Sequence, residues 1–187
     1  MIRQTIETIK EFKKRGGYHI FISTLISKVT QVVLIMFIVR LINPREYGEL
    51  AFIQSYITFF IPFSGLGLNY SLLRYGSIER KDENKIKIFS ICLKYGVIFS
   101  FFLYLLVSFI AYLADFEIVT NYIYVLIFAV LLLSDYLKEI AQSYLRIKNK
   151  NIEFAYSNIT YSIGLLLLPV SGTFLAGVYG FIFSRVV

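Results

Sequence analysis

Along this chain apolar residues do not alternate with polar ones; they come in long unbroken runs separated by short charged clusters. Crossing a bilayer as a helix takes about 20 predominantly apolar residues. Runs of that order are read at about 18–41, 47–73, 88–113 and 154–168, with another from about 119 to a point between 136 and 145. A sixth starts near Phe174 and reaches Val187, several residues short of a crossing. The pattern predicts an all-α, polytopic membrane helix bundle over 18–187, with five spans plus a truncated sixth. Ahead of it, Ile2, Ile6, Ile9 and Phe12 recur at helical spacing, with Arg3, Lys10, Lys13, Lys14 and Arg15 mostly elsewhere around the helix. Residues 1–17 therefore read as an amphipathic helix on the cytoplasmic membrane surface, closed by Gly16-Gly17. The apolar run begins late and no small-residue cleavage site follows it, so the first span does not read as a removable signal peptide.

Composition agrees: 57% of residues are hydrophobic and 18% aromatic, a balance foreign to water-soluble domains. The net charge of +7 changes the picture only through its placement. Basic residues lie between the apolar runs and not along one surface, which argues against nucleic acid as a partner and for loops at a membrane. With the N-terminus inside, the cytoplasmic side receives the five basic residues of the first segment, then Arg74, Arg80, Lys81, Lys85, Lys87, Lys138, Arg146, Lys148, Lys150 and Arg185. The outer side receives Arg40 and Arg45, so the count is fifteen against two. Short loops with that bias predict a cytoplasmic N-terminus. Asp115 and Glu117 fall in the outer loop after the third span.

Several residues break the apolar background. Asn43-Pro44 reads as a turn at the outer boundary, since Pro44 cannot continue a helix and biases Asn43 away from helical backbone. Gly48, close behind, either permits close helix contact or relieves the corner. Lys28 lies near the middle of the first span, too deep for its stem of about 6 Å to reach water, so it should face a cavity or a partner. Gln31 and Thr24 share its face. The patch reads either as an anion-binding site or as a lysine paired with an internal carboxylate. Lys94 is nearer the cytoplasmic end of the third span, where snorkelling competes with a cavity role. Asp135, Lys138, Glu139 and Gln142 fall on overlapping faces of one helix. Depending on where the fourth span ends, Asp135 and Glu139 are either a cytoplasmic extension or membrane carboxylates able to neutralise Lys28 or Lys94 or to bind a coupling cation or proton. Pro62, Gly65 and Gly67, with Asn69 and Ser71, allow either bending or tight packing in the second span, and Pro169, Gly172, Gly177 and Gly180 repeat the ambiguity. Cys92, the one cysteine, excludes an internal disulfide, and His19 reads as interfacial. The chain contains no phosphate-cradling glycine loop and none of the usual metal or nucleophile spacings, so it reads as neither an enzyme nor a cofactor binder.

The stretches "VRLINPREYGELAF" and "FSGLGLNYSLLRYGS" resemble the polysaccharide exporter and O-antigen flippase family, of the multidrug/oligosaccharidyl-lipid/polysaccharide exporter superfamily. That family commonly shows an Arg-x-Leu-Gly-Pro-x-x-Tyr-Gly corner, matched by Arg40, Ile42, Asn43, Pro44, Tyr47 and Gly48. Ile42 and Asn43 replace the usual Leu-Gly, and Asn also tolerates turn backbone. A Gly-Leu-Gly with a basic end to the second span is matched by Gly65, Leu66, Gly67 and Arg74. The resemblance implies the first lobe of a two-lobe flippase in a bacterial inner membrane, moving lipid-linked oligosaccharide to the periplasmic leaflet by alternating access. It also implies a polyprenyl-pyrophosphate-linked oligosaccharide as partner, membrane lipids around it, and a polysaccharide polymerase and glycosyltransferases nearby. Lys28, Gln31, Arg74 and Lys94 would then attract the pyrophosphate. Two other readings stay open: a cation-coupled drug exporter of the same superfamily, and a non-transporting scaffold for envelope polysaccharide synthesis. On this reading the chain supplies one lobe and should insert in membranes without flipping substrate by itself.

Overall fold

The structure, a computed structural model, describes residues 17–114 and 122–186. The amphipathic segment expected over 1–17 lies almost wholly outside these residues, as do Asp115 and Glu117. Helix α1 (Gly17–Leu41) is a single rod. The Asn43-Pro44 corner follows it as expected. Asn43 is extended (φ −60°, ψ 140°), its Oδ1 accepts from the Arg45 amide at 3.3 Å, and Pro44 takes the first helical position of α2 (Pro44–Phe60). Its missing N–H costs nothing there, because the first amides of a helix have no internal acceptor.

The second rod is not one helix. A 3-10 stretch over Ile61–Gly67 separates α2 from α3 (Leu68–Ile78). Helix α4 (Asp82–Ala114) is continuous, whereas the fourth rod is divided into α5 (Tyr122–Ala129) and α6 (Leu131–Ile147) on either side of Val130. The last rod is α7 (Asn151–Val186).

The expected five spans plus a truncated sixth must be corrected. The described residues form five rods, and four of them, 17–41, 44–78, 82–114 and 151–186, are long and apolar enough to cross a membrane. The pieces of the fourth rod, 8 and 17 residues, each fall short of a crossing. The runs read as a fifth span and a partial sixth belong to the single element α7. It is sharply bent where Ala176 (φ −139°, ψ 20°) and Gly177 (φ 58°, ψ −136°) leave helical backbone. Gly177 takes a conformation open essentially to glycine alone. Residues eight apart in a straight helix lie about 12 Å from each other. Here a Cβ on Gly172 would collide with the carbonyl oxygen of Gly180, so the limb after Gly177 folds back against the limb before it. No charge interrupts the apolar run across the bend, which is why hydropathy alone divides it differently.

The rods form two groups. Helix α1 packs almost wholly against α7 and touches α2 only near their shared corner, while the second, third and fourth rods pack on one another. A large apolar core near the corner joins Leu34, Ile38, Ile53, Val107, Phe128 and Ile182. A smaller one towards the opposite end joins Leu72, Cys92, Tyr136, Ile140 and Ile147.

Candidate functional site

Between the two cores the second rod unwinds. Ser64 (ψ 129°), Gly65 (φ 62°) and Leu66 (φ 49°) are non-helical, and Gly67 follows at φ 71°. An unwound segment inside an apolar bundle must find acceptors and donors within the protein. Ser64 Oγ donates to the Leu132 carbonyl at 2.8 Å and lies 3.1 Å from Ser100 Oγ. A hydroxyl has one proton, and Ser64 has given its own to Leu132, so Ser100 is the donor in the second bond. The phenol of Tyr136 donates to the Cys92 carbonyl at 2.6 Å, and its ring is wedged between Gly65 and Gly96. A Cβ on either glycine would overlap that ring. Gly65 thus serves close approach as well as left-handed backbone. Gly67 has only ordinary contact with Tyr70, Gly48 meets nothing within 4 Å and needs no missing side chain for packing, and Pro62 is exposed near the start of the 3-10 stretch.

At the second residue of α3, Asn69 Nδ2 donates to Glu139 Oε2 of α6 at 2.6 Å. Residues of α6 continue from there into the seam between the two groups of rods. Lys138 Nζ sits 4.1 Å from the centre of the Tyr161 ring of α7, a cation held over an aromatic face. Asp135, Glu139, Arg185 and Lys28 all act electrostatically on Lys138, and Asp135 feels both Lys138 and Arg185. Three cations therefore meet two carboxylates, contributed by α1, α6 and the limb of α7 after Gly177. Lys28 is followed by 13 residues to the end of α1 and preceded by 11 from its start, which puts it roughly 16 to 20 Å along the helix from either end.

Of the residues expected to act together, the structure brings Lys28, Asp135 and Glu139 into one electrostatic group. Lys28 and Gln31 are exposed on α1 beside it. Arg74, exposed and 5.8 Å from the Tyr75 ring centre, and Lys94, exposed on α4, are not among the charges acting on Lys138 or Asp135. Thr24 spends its hydroxyl on the Ile20 carbonyl at 2.8 Å. Arg185, counted on the cytoplasmic side with Lys138, is brought by the fold at Gly177 to the seam beside Lys138 and Asp135. The glycine spacing around 172–180 was the available signal, and it became readable only as a reversal. Gln142 Nε2 is buried without a hydrogen-bond partner among the described residues.

A cavity of about 150 Å³ opens between α1, the first turns of α2 and the returning limb of α7. Its polar wall is Gln31, Tyr47, Gln54 and Arg185, and Leu34 and Phe181 are among its apolar lining. Among the described residues no group of three or more His, Cys, Asp or Glu is placed to hold a metal ion. The arrangement suits electrostatic attraction and positioning of a charged group at depth.

No curated protein and no solved structure matches the chain. A family model described as polysaccharide biosynthesis protein matches residues 14–187, which takes in every described rod and the entire seam. With four rods of membrane-spanning length and a match of that extent, this chain is a polytopic membrane protein that belongs to the polysaccharide biosynthesis protein family.

Proposed function

We propose that the protein takes part in moving a lipid-linked oligosaccharide, carried on a polyprenyl pyrophosphate, across the bacterial inner membrane, with its N-terminus in the cytoplasm. The observation that carries this reading is the charged seam at mid-depth, where Lys28, Lys138 and Arg185 outnumber Asp135 and Glu139. Charges in hydrocarbon are costly enough to be kept for substrate or ion pathways. An excess of cations suits a pyrophosphate, and neutral amides such as Gln31 suit the sugar hydroxyls that follow it. In this reading Lys28 is the first cation the anion meets, Asp135 is the counter-ion that holds Lys138 and Arg185 in place, and Arg74 and Lys94 draw the headgroup towards the seam. The Ser64–Gly67 break gives the second rod a place to bend, with Asn43-Pro44 as the fixed corner above it. Polymerase and glycosyltransferases of the same polysaccharide are the expected neighbours.

The test is surface polysaccharide in a host that depends on this gene. Lys28→Ala should abolish it at normal membrane abundance, and Lys28→Arg should retain part. Full polysaccharide with the alanine variant would remove Lys28 from any transport role.

A further inference from the structure

We propose that the cavity between α1, α2 and the returning limb of α7 is an anion site, which takes a phosphoryl or carboxylate group against the guanidinium of Arg185. The site rests on the transport reading for Arg185's place among the seam cations and deepens it by naming the cavity, within this one bundle, that takes the anion.

Arg185 Nη1 is buried and has no hydrogen-bond partner among the described residues. A guanidinium carries five N–H donors in a rigid plane, and a buried charged donor left unmade is among the costlier defects a fold can hold. The lining contains no carboxylate that could meet it. Asp135 lies within its electrostatic reach but also faces Lys138. The cavity thus presents one cation, the amides of Gln31 and Gln54 and the phenol of Tyr47. That set excludes a metal ion or an ammonium, and it matches an oxyanion, whose two oxygens accept both arms of the guanidinium fork while a third meets an amide N–H. The size agrees. A lone water needs about 10–15 Å³ by a comparable measure, and about 150 Å³ is room for a group as large as phosphate or pyrophosphate. Apolar walls from Leu34 and Phe181 keep the surroundings poorly polarisable, which strengthens the ion pair once formed.

The anion can reach the cavity from water or as the headgroup of a bilayer phospholipid. The full chain in phosphatidylcholine nanodiscs, titrated with inorganic pyrophosphate in a calorimeter, should bind it. Arg185→Gln should weaken binding at least tenfold and Arg185→Lys less. Ala51→Leu, which fills the cavity and leaves the arginine in place, should weaken it as much as Arg185→Gln, and it decides the matter if loss of the arginine disturbs folding. Adding phosphatidylglycerol to the discs should weaken pyrophosphate binding if a lipid headgroup enters the site and leave it unchanged if only free anions do; the site stands in both cases. Absence of pyrophosphate binding by the folded wild type, or wild-type affinity in both Arg185→Gln and Ala51→Leu, would overturn the proposal. Because the readout is binding and not export, its failure would remove Arg185 from the anion's path, while the transport reading is decided separately by export with Lys28→Ala.

Discussion

Replacing Gly96 with alanine should destabilise the protein by about 2 kcal/mol, although helix propensity alone favours the change by about 1 kcal/mol. Gly96 lies within α4, where the backbone tolerates any residue; what forbids a side chain is Tyr136. A Cβ at this position would overlap the Tyr136 hydroxyl and lie 2.5 Å from Cε1. The ring cannot retreat, since Tyr136 is 2% exposed and its other edge rests on Gly65, where a Cβ would come within 2.8 Å of Cζ. Displacing it forfeits the bond to the Cys92 carbonyl, about 1 kcal/mol, and overpacks the site by a further 1–3 kcal/mol or so. Tyr136→Leu removes Oη, Cζ and Cε1 together, the atoms the new methyl would strike. The two substitutions should therefore be non-additive, with the double variant recovering at least about 1 kcal/mol relative to the sum. Unfolding in mixed micelles, followed by circular dichroism as the fraction of dodecyl sulfate rises, reads all four corners of this cycle. Wild-type stability of Gly96→Ala, or strict additivity with Tyr136→Leu, would refute the wedge.

Two further outcomes are expected. In a Cys92→Ala background, a single cysteine at Ser77, exposed near the end of α3, should react with an impermeant maleimide only from the cytoplasmic side, and preferential labelling from the periplasm would reverse the proposed orientation. Glu79 Oε1 accepts from the amides of Arg80 at 2.9 Å and Lys81 at 3.1 Å. The Lys81 amide, then the Asn84 side chain, hold its carboxyl below the ordinary glutamate range. Its contribution to the turn between α3 and α4 is accordingly complete above that range and lost as the pH falls through the lowered value. Exchange of those two amides, corrected for intrinsic rate, should speed up on acidification in the wild type and not in Glu79→Gln; matching profiles would assign the turn's stability elsewhere.

What was legible beforehand follows from which forces act locally. The Asn43-Pro44 corner rests on the chemistry of two adjacent residues, and the structure caps α2 as that chemistry requires. The helical class and the outline of the first and third rods follow from hydropathy, which is a property of each segment by itself. The backbone breaks are different in kind. At Val130 the run "VLIFAVLLLS" carries no glycine, proline or charge, so the division between α5 and α6 left no mark. At Gly177 the mark was one glycine among several, and whether it bends, reverses or passes straight depends on the neighbour that receives it. The seam was half legible: Lys28 stood out because depth can be counted along one helix, and Asp135 and Glu139 because they share a helix face. Arg185 could not be joined to them beforehand, because its neighbours depend on the turn before it. The roles of Gly65 and Gly96 needed Tyr136, which lies 71 and 40 residues further along the chain.

Among the described residues, helix α1 precedes every other rod and has almost no neighbour except the one furthest along the chain. Between Leu41 and Asn151 the ribosome adds 110 residues, which at about 5–20 residues per second takes roughly 5 to 20 seconds. Through that interval α1 sits in the bilayer with its partner still unwritten and Lys28 facing lipid or whatever shelters it. Biogenesis therefore favours a holding place, such as the lateral opening of the insertion machinery, where a helix with a central lysine can wait. A charge that on the proposed reading serves the finished protein is in this way a burden during its assembly, and slower elongation before Asn151 would lengthen the exposure without altering a single contact in the folded state.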